Sequence, residues 1–428
     1  MKRTLILGGR LVNPKTGTDG LFDIAISGGI VEKTAAAGSF DCSDFDRIID
    51  AEGLVVSPGF IDTHSHFRDP GFEYKEDIIS GAKSAAKGGY TSIICMANTN
   101  PAVDSPEVID YILEKGRATG INIHTAACIS KGMNGEELND FASLKKAGAI
   151  VFTDDGKPLK DAAIVYEAME KAVEEDVVLS FHEEEPALIK NAGINEGKIS
   201  AKIGIQGAKR SAEDVLVARD CMMALETGAT VCIQHLSSGA SVEMIRTAKK
   251  LGAKVWAEAA PHHFSLTEEA VLTYGTLAKM NPPLRTEEDR KAIIRGLQDD
   301  TVEIIATDHA PHTMEEKSVE FTKAPSGITG LETAFALGMT NLVHTGDLSL
   351  SHYLEKLTSK PAELYSLEAG SVEEGMSADI VIFDPDEEWV VEEKNFASKE
   401  KNTPFTGATL KGKVKYTVCR GEIVYEEV

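Results

Sequence analysis

Ser57-Pro58-Gly59-Phe60-Ile61-Asp62-Thr63-His64-Ser65-His66 is the stretch on which the reading of this chain turns. The apolar run 54–61, broken by Pro58-Gly59, reads as a strand ending in two histidines one residue apart. In extended backbone, residues i and i+2 face the same side. His64 and His66 therefore project together from the strand's C-terminal end, where two imidazoles can ligate one metal ion. In a barrel of parallel strands, active sites are built at that end. A His-x-His pair alone is a weak signal, because it arises often by chance. The rest of the chain must supply the other ligands.

Further strand-like runs follow at 90–96, 121–127, 149–152, 177–181, 230–233, 254–258 and 302–306. Between them, segments such as 76–87, 106–117, 162–174, 214–226, 241–250 and 285–297 have helical spacing of apolar residues. Gly88-Gly89, Gly228 and Gly252 stand where helix C-caps belong. Eight strand–helix units are the count of an α/β fold of the (β/α)8 TIM-like barrel type. A doubly wound open sheet is the competitor, but no Gly-x-Gly-x-x-Gly follows an early strand. Both chain ends read instead as short strands and turns: 4–7, 21–27 and 47–49, then 379–383, 388–391, 413–419 and 422–425. The expected organisation is a barrel over 54–370, flanked by 1–53 and 371–428, which pair into one small β domain.

Composition bounds the partners. Forty-four basic against 68 acidic residues give a net charge of −24, which argues against nucleic acid or an anionic membrane surface. An anionic small molecule would need a local metal or arginine to overcome that field. The six cysteines have no C-x-x-C spacing, and several lie in apolar runs, so they read as buried reduced thiols. The N-terminal apolar run is too short for a signal peptide, and no run approaches a membrane span. A cytoplasmic protein is expected.

Histidines and carboxylates recur at the ends of the barrel runs. The fourth ends Phe152-Thr153-Asp154-Asp155-Gly156, the fifth Phe181-His182, the sixth Gln234-His235 and the eighth Thr307-Asp308-His309. In a barrel, His64, His66, His182, His235, Asp308 and one of the two strand-4 aspartates surround a common point. Each alone is more often a satisfied core or loop residue. Several strands delivering the same residue types at the same position is a strong signal for metal. Six ligands exceed what one catalytic zinc uses and suit two ions sharing a carboxylate bridge.

With these residues in view, the chain is similar to the amidohydrolase superfamily, and within it to the dihydroorotase family in its long, class I bacterial form. The resemblance covers nearly the whole chain. It rests chiefly on Pro58-Gly59-Phe60-Ile61-Asp62-Thr63-His64-Ser65-His66-Phe67-Arg68-Asp69-Pro70-Gly71 and on Thr307-Asp308-His309-Ala310-Pro311-His312 running on to Lys317. Met96-Ala97-Asn98-Thr99 and Lys279-Met280-Asn281-Pro282-Pro283-Leu284-Arg285 support it. The resemblance implies two Zn2+ ions per chain. His64, His66 and Asp308 would hold the first, His182 and His235 the second, and Asp155 would bridge them. It implies that Arg68, Asn98 and His312 bind the substrate carboxylate, that Asn281 contacts the ring, and that Ser326 and Gly327 offer backbone groups to it. It also implies a homodimer that associates with aspartate carbamoyltransferase in some relatives. Ser65, Ala97 and Ser326 depart from the family's usual residues, and the last two touch the substrate pocket.

The reaction so implied is the reversible metal-dependent opening of the cyclic amide of (S)-dihydroorotate to N-carbamoyl-L-aspartate, a step of pyrimidine biosynthesis. Asp308 would carry the proton between water and leaving nitrogen. A guanidinium suits a carboxylate because it pairs with both oxygens. The alternative uses are an ion pair of Arg68 with Asp69 or Glu73, and a turn-capping role for Asn98. His262, His263 and His309 read as structural, and Glu183-Glu184-Glu185 as a solvated loop or helix start. The nearest rivals are dihydropyrimidinase, hydantoinase and allantoinase, which generally carry a carboxylated lysine at strand 4. Here the strand ends in Asp155, and Lys157 lies beyond Gly156. A non-catalytic relative serving as a structural subunit would have lost ligands, and all six are present.

Overall fold

The computed structural model describes residues 3–427. The chain opens with β1 (Arg3–Asn13), β2 (Thr18–Ser27), β3 (Ile30–Ala36), β4 (Arg47–Asp50) and β5 (Val55–Pro58). The barrel strands are β6 (Phe60–Ser65), β7 (Tyr90–Cys95), β8 (Asn122–Ala127), β9 (Ala149–Phe152), β10 (Leu179–Phe181), β11 (Val231–Ile233), β12 (Val255–Ala259) and β13 (Ile304–Ile305). The chain ends with β14 (Ile380–Val390), β15 (Thr409–Cys419) and β16 (Glu422–Glu426).

β6 to β13 pair in chain order, each parallel to the next. A parallel bridge between Ser65 and His309 brings the last segment back to the first, and the His66 N–H donates to the His309 carbonyl at 2.8 Å. The ring is the expected α/β barrel. The other strands form one sheet in the order β16-β15-β14-β5-β1-β2-β3, with β4 on β1. β5 lies between β1, to which it is parallel, and β14, to which it is antiparallel. Both chain ends therefore build a single side sheet, as their strand-like runs suggest.

The run 54–61 is not one strand. β5 belongs to the side sheet and β6 to the barrel, and Gly59 is the joint between them. Its N–H donates to the Asp379 carbonyl at 2.8 Å, whereas the next N–H, of Phe60, donates to the Gly89 carbonyl at 3.0 Å. A Cβ at position 59 would lie 2.3 Å from the Thr91 side chain, so glycine alone permits this approach. The run 302–306 is also shorter in structure, pairing only at Ile304–Ile305, because the Val302 N–H donates instead to the Gly296 carbonyl. The helix expected from 285 starts at Glu287. Thr286 and Asp289 form a capping box there, which leaves Arg285 outside the helix. Gly228 (φ 75°) and Gly252 (φ 101°) end their helices in the left-handed region, as expected.

Phe60, at the start of β6, stacks on Phe335 with centroids 5.0 Å apart and meets Tyr90 edge-on at 5.7 Å. Phe335 in turn meets Phe383 of β14 at 4.6 Å. This aromatic cluster seats the side sheet against the barrel end opposite the strand C-termini. The segment between β14 and β15 leaves the sheet and runs along the barrel loops. There Asn402 donates to the carbonyls of Ala310 (3.3 Å) and Gly327 (3.1 Å) and accepts from the His312 N–H (3.0 Å).

Candidate metal centre and substrate pocket

The six expected ligands meet at the C-terminal mouth of the barrel, all of them buried. Asp155 is at the centre. Its Oδ1 lies 3.5 Å from His64 Nε2, 3.6 Å from His182 Nδ1 and 3.7 Å from His235 Nε2. Its Oδ2 faces His66 Nε2 at 3.4 Å. Oδ1 thus faces His64 together with both His182 and His235, and Oδ2 faces His66, so the carboxylate lies between the two histidine pairs. Asp308 Oδ1 lies 3.2 Å from His66 Nε2 and 3.6 Å from His64 Nε2. Two groups have donor atoms close enough together to share an ion: His64, His66 and Asp155, and Asp155, His182 and His235. The other strand-4 aspartate, Asp154, turns away and accepts from the backbone N–H groups of Ile129 and Ser130.

The residues fit a cation on their own chemistry. His64 Nε2, the ring atom that faces Asp155 and Asp308, is buried with no hydrogen-bond partner among the described residues, and such an orphan costs free energy unless something takes its lone pair. Burial opposes charge on Asp155, yet the imidazoles around it hold its carboxyl well below the usual range. Burial likewise opposes charge on His64, but Asp155, Glu258 and Asp308 raise it well above the usual imidazole range. Opposite charge is what this cluster lacks, and a divalent metal supplies it.

Several groups orient the ligands. Asn98 Oδ1 lies 2.9 Å from His66 Nδ1, and its amide nitrogen donates to Asp155 Oδ2 at 3.1 Å. This is more than a turn cap. Asp62 accepts from the Thr307 N–H and Oγ1, both at 2.7 Å, and from Ser65 Oγ, which ties the first ligand strand to the last. Glu258, at the end of β12, faces His64 Nδ1 at 3.4 Å and accepts from Thr63 Oγ1. Sequence reading missed it, although it ends the seventh barrel run just as the ligands end theirs. Glu183 and Glu184 correct a second expectation: they are buried, and Glu184 pairs with His182 Nε2 at 3.3 Å. Glu184 thus backs the site, because an imidazole facing a metal benefits from a carboxylate on its other nitrogen, while Glu185 caps the short helix Pro186–Leu188, the expected helix start.

A cavity of about 220 Å³ opens beside the cluster, and Arg68, Asn98, Asn281, His312, Ser326 and Gly327 line it with every expected ligand but His64. Among the described residues Arg68 has no carboxylate within ion-pair distance. Asp69 is taken by Lys115 at 2.6 Å, and Glu73 accepts from the Gly71 N–H. Arg68 Nε and Asn281 Oδ1 are buried and have no hydrogen-bond partner among the described residues. The wall around Ser326 is held from behind. Lys279 Nζ donates to the carbonyls of Phe321 (2.7 Å) and Ala324 (2.6 Å), and Lys317 Nζ to those of Pro325 (2.9 Å) and Gly327 (3.0 Å). Lys157 lies outside this cavity and lines a neighbouring hollow. His309 sits behind the wall, facing Glu76 at 3.6 Å and accepting from the Gly330 N–H.

Comparison with known proteins adds an independent line. Residues 53–241 match the Dihydro-orotase-like family and residues 320–425 the Amidohydrolase family. The chain is 59% identical to the dihydroorotase of Clostridioides difficile (strain 630), over 98% of this chain and 99% of that one. It is 54% identical to the dihydroorotase of Clostridium acetobutylicum, over 99% of each. Among solved structures it resembles the L-hydantoinase (dihydropyrimidinase) of Arthrobacter aurescens, with a TM-score of 0.89 at 25% identity over 100% of this chain and 96% of that one. A D-hydantoinase has a TM-score of 0.85 at 22% identity, covering 99% and 95%, and shows the shared fold.

Proposed function

The chain belongs to the dihydroorotase family of amidohydrolases, and from that premise we propose how its residues divide the work of opening and closing a cyclic amide. Its reaction is the reversible hydrolysis of dihydroorotate to N-carbamoyl-L-aspartate. His64, His66 and Asp308 would hold one Zn2+, His182 and His235 a second, and Asp155 both. When bound, the metal supplies polarisation of the ring carbonyl and a lowered pKa for water.

The remaining work falls to the chain's own groups. Arg68, with no carboxylate of its own among the described residues, receives the substrate carboxylate. His312 and one Asn98 N–H complete that subsite. Asn281 and the Ser326-Gly327 backbone hold the ring. Asp308 takes the proton released as water adds to the carbonyl carbon. It returns that proton to the ring nitrogen as the C–N bond breaks. The cyclising direction runs the same transfers backwards. The roles divide along the chain close to the expected bounds of 1–53, 54–370 and 371–428, with β5 (Val55–Pro58) moved from the catalytic barrel to the side sheet.

The observation that carries this reading is the guanidinium of Arg68, without a carboxylate partner among the described residues, in the same cavity as Asp308 and the ligand cluster. Dihydrouracil and hydantoin have no carboxylate to offer it. The test is metal content per chain together with turnover of dihydroorotate, dihydrouracil and hydantoin. Two ions and a strong preference for dihydroorotate are expected. Equal turnover of dihydrouracil would move the chain to the hydantoinase group, and no turnover at full metal loading would make it a structural subunit. No described helix is long and apolar enough to cross a membrane. Five of the six cysteines are buried free thiols, which suits the reducing cytoplasm. A homodimer docking with aspartate carbamoyltransferase is the assembly to look for, by light scattering of each protein alone and mixed.

A further inference from the structure

The ring of His312 lies between groups of opposite hydrogen-bonding character. Its Nε2 is 2.9 Å from the Ser326 carbonyl oxygen, and its Nδ1 is 3.2 Å from Lys75 Nζ. A carbonyl only accepts and an ammonium only donates. Both contacts are satisfied by one form alone: neutral imidazole, with its proton on Nε2 and its lone pair on Nδ1. Burial, with Arg68 and Lys75 beside it, also holds the ring in its neutral state.

Lys75 is itself held in place. Its Nζ pairs with Glu316 Oε1 at 2.9 Å, and Tyr74 Oη donates to that same oxygen at 3.2 Å. The other oxygen, Glu316 Oε2, lies 3.5 Å from His312 Nδ1. That oxygen is a competing acceptor that would draw the ring proton to Nδ1. The ammonium occupies Nδ1 and neutralises the carboxylate at once. On the opposite edge of the ring, Arg68 Nη2 is 3.3 Å from Nε2. With Nε2 protonated, both of these atoms are donors. Two N–H groups then converge at the cavity wall, where an oxyanion accepts from both.

We propose that Lys75 is a positioning residue that sets the tautomer of His312, so that the Nε2–H joins Arg68 in receiving the substrate carboxylate. This rests on the reading of Arg68 and His312 as the carboxylate subsite. When substrate arrives, the Nε2–H exchanges the Ser326 carbonyl for a carboxylate oxygen. The selectivity follows from charge and donor count: a ring-bearing carboxylate meets two donors, whereas a neutral ring offers them nothing.

The test is Lys75→Met in the metal-loaded enzyme, with 15N-histidine NMR of the imidazole and kinetics on dihydroorotate. The His312 resonances, assigned by their loss in His312→Asn, are expected to change from the Nε2–H pattern to Nδ1–H or imidazolium. KM should rise roughly ten- to a hundredfold, the loss of one charge-assisted contact, with a smaller change in kcat and unchanged metal content. Lys75→Arg keeps a donor and should restore the Nε2–H pattern and much of the KM. Lys75→Ala makes the same comparison if the methionine variant misfolds. An unchanged Nε2–H pattern without Lys75 overturns the inference. A changed pattern with an unchanged KM overturns the carboxylate role of His312 on which it rests.

Discussion

At the scale of single residues, the centre is defined by what each side chain can and cannot supply. Asp308 faces His66 and His64 and borders the cavity, which suits the two parts proposed for it, metal ligand and proton carrier. Asp308→Ala should lower turnover by about 10²–10⁴-fold from loss of the proton carrier alone. Near-parental turnover of a fully metallated variant would take that role away. Asp155 carries its carboxylate permanently, unlike a lysine that must first react with CO2. Apo-protein prepared free of CO2 should therefore regain full activity on Zn2+ alone. Asp155→Asn should retain less metal, because a neutral amide is a poor bridge between cations. Reactivation that depended on bicarbonate would point to a lysine bridge. These residues were legible in the sequence because each ends a strand-like run, a position the barrel turns into a common face. Their partners were less so. Glu258 ends the seventh run and looks no different in sequence from a solvent-facing acid, and Glu184 stands in an acidic triplet of which only the first two members are buried. Seven barrel strands, β7 to β13, separate Lys75 from His312 in sequence, and only closure of the ring brings them together.

At the scale of elements, the wall loop carrying Ser326 and Gly327 is fixed by two buried lysines. Neither has a carboxylate within ion-pair distance among the described residues, and Lys317 is pushed down to about 7 by burial and by Lys279. A neutral amine still has two N–H groups, enough for the Pro325 and Gly327 carbonyls. In the unfolded chain the same lysine titrates near 10.4. Between about pH 7 and 10 the unfolded state therefore holds a proton that the folded state does not, and the contribution to stability rises with pH. Below pH 7 both states are protonated and the contribution is flat at its lowest. Urea midpoints at pH 7 and 9.5 should rise more for the parent than for Lys317→Met, and equal changes would contradict this. Hydrophobic period and glycine caps predicted most barrel elements to within a few residues. They misjudged boundaries where side chains compete with the backbone, as at Thr286, whose capping box ejects Arg285 from the helix. β3 went unrecognised because its register against β2 leaves most of its residues exposed or half-exposed, without an apolar run.

At the scale of the whole molecule, one glycine separates two architectures. The chain passes from side sheet to barrel at Gly59 without a loop, and its hydrogen bonds change partner from Asp379 to Gly89 in a single step. Gly59→Ala places a methyl against Thr91 and should cost about 1–3 kcal/mol by overpacking. Chemical denaturation would measure it, and loss of metal-site activity should follow, since β6 carries His64 and His66 from that joint. A cost below about 0.5 kcal/mol would mean that the two bodies have slack between them. The pairing of β5 with β14 also has a consequence in time. A ribosome adding about 5–20 residues per second reaches β14 roughly 15–65 s after finishing β5. Throughout that interval Val55–Pro58 presents a bare strand edge, and the apolar face it shares with β1 lacks its cover. Slower translation prolongs the exposure, so codon choice and chaperone supply over the middle of the message govern how much newly made chain escapes aggregation.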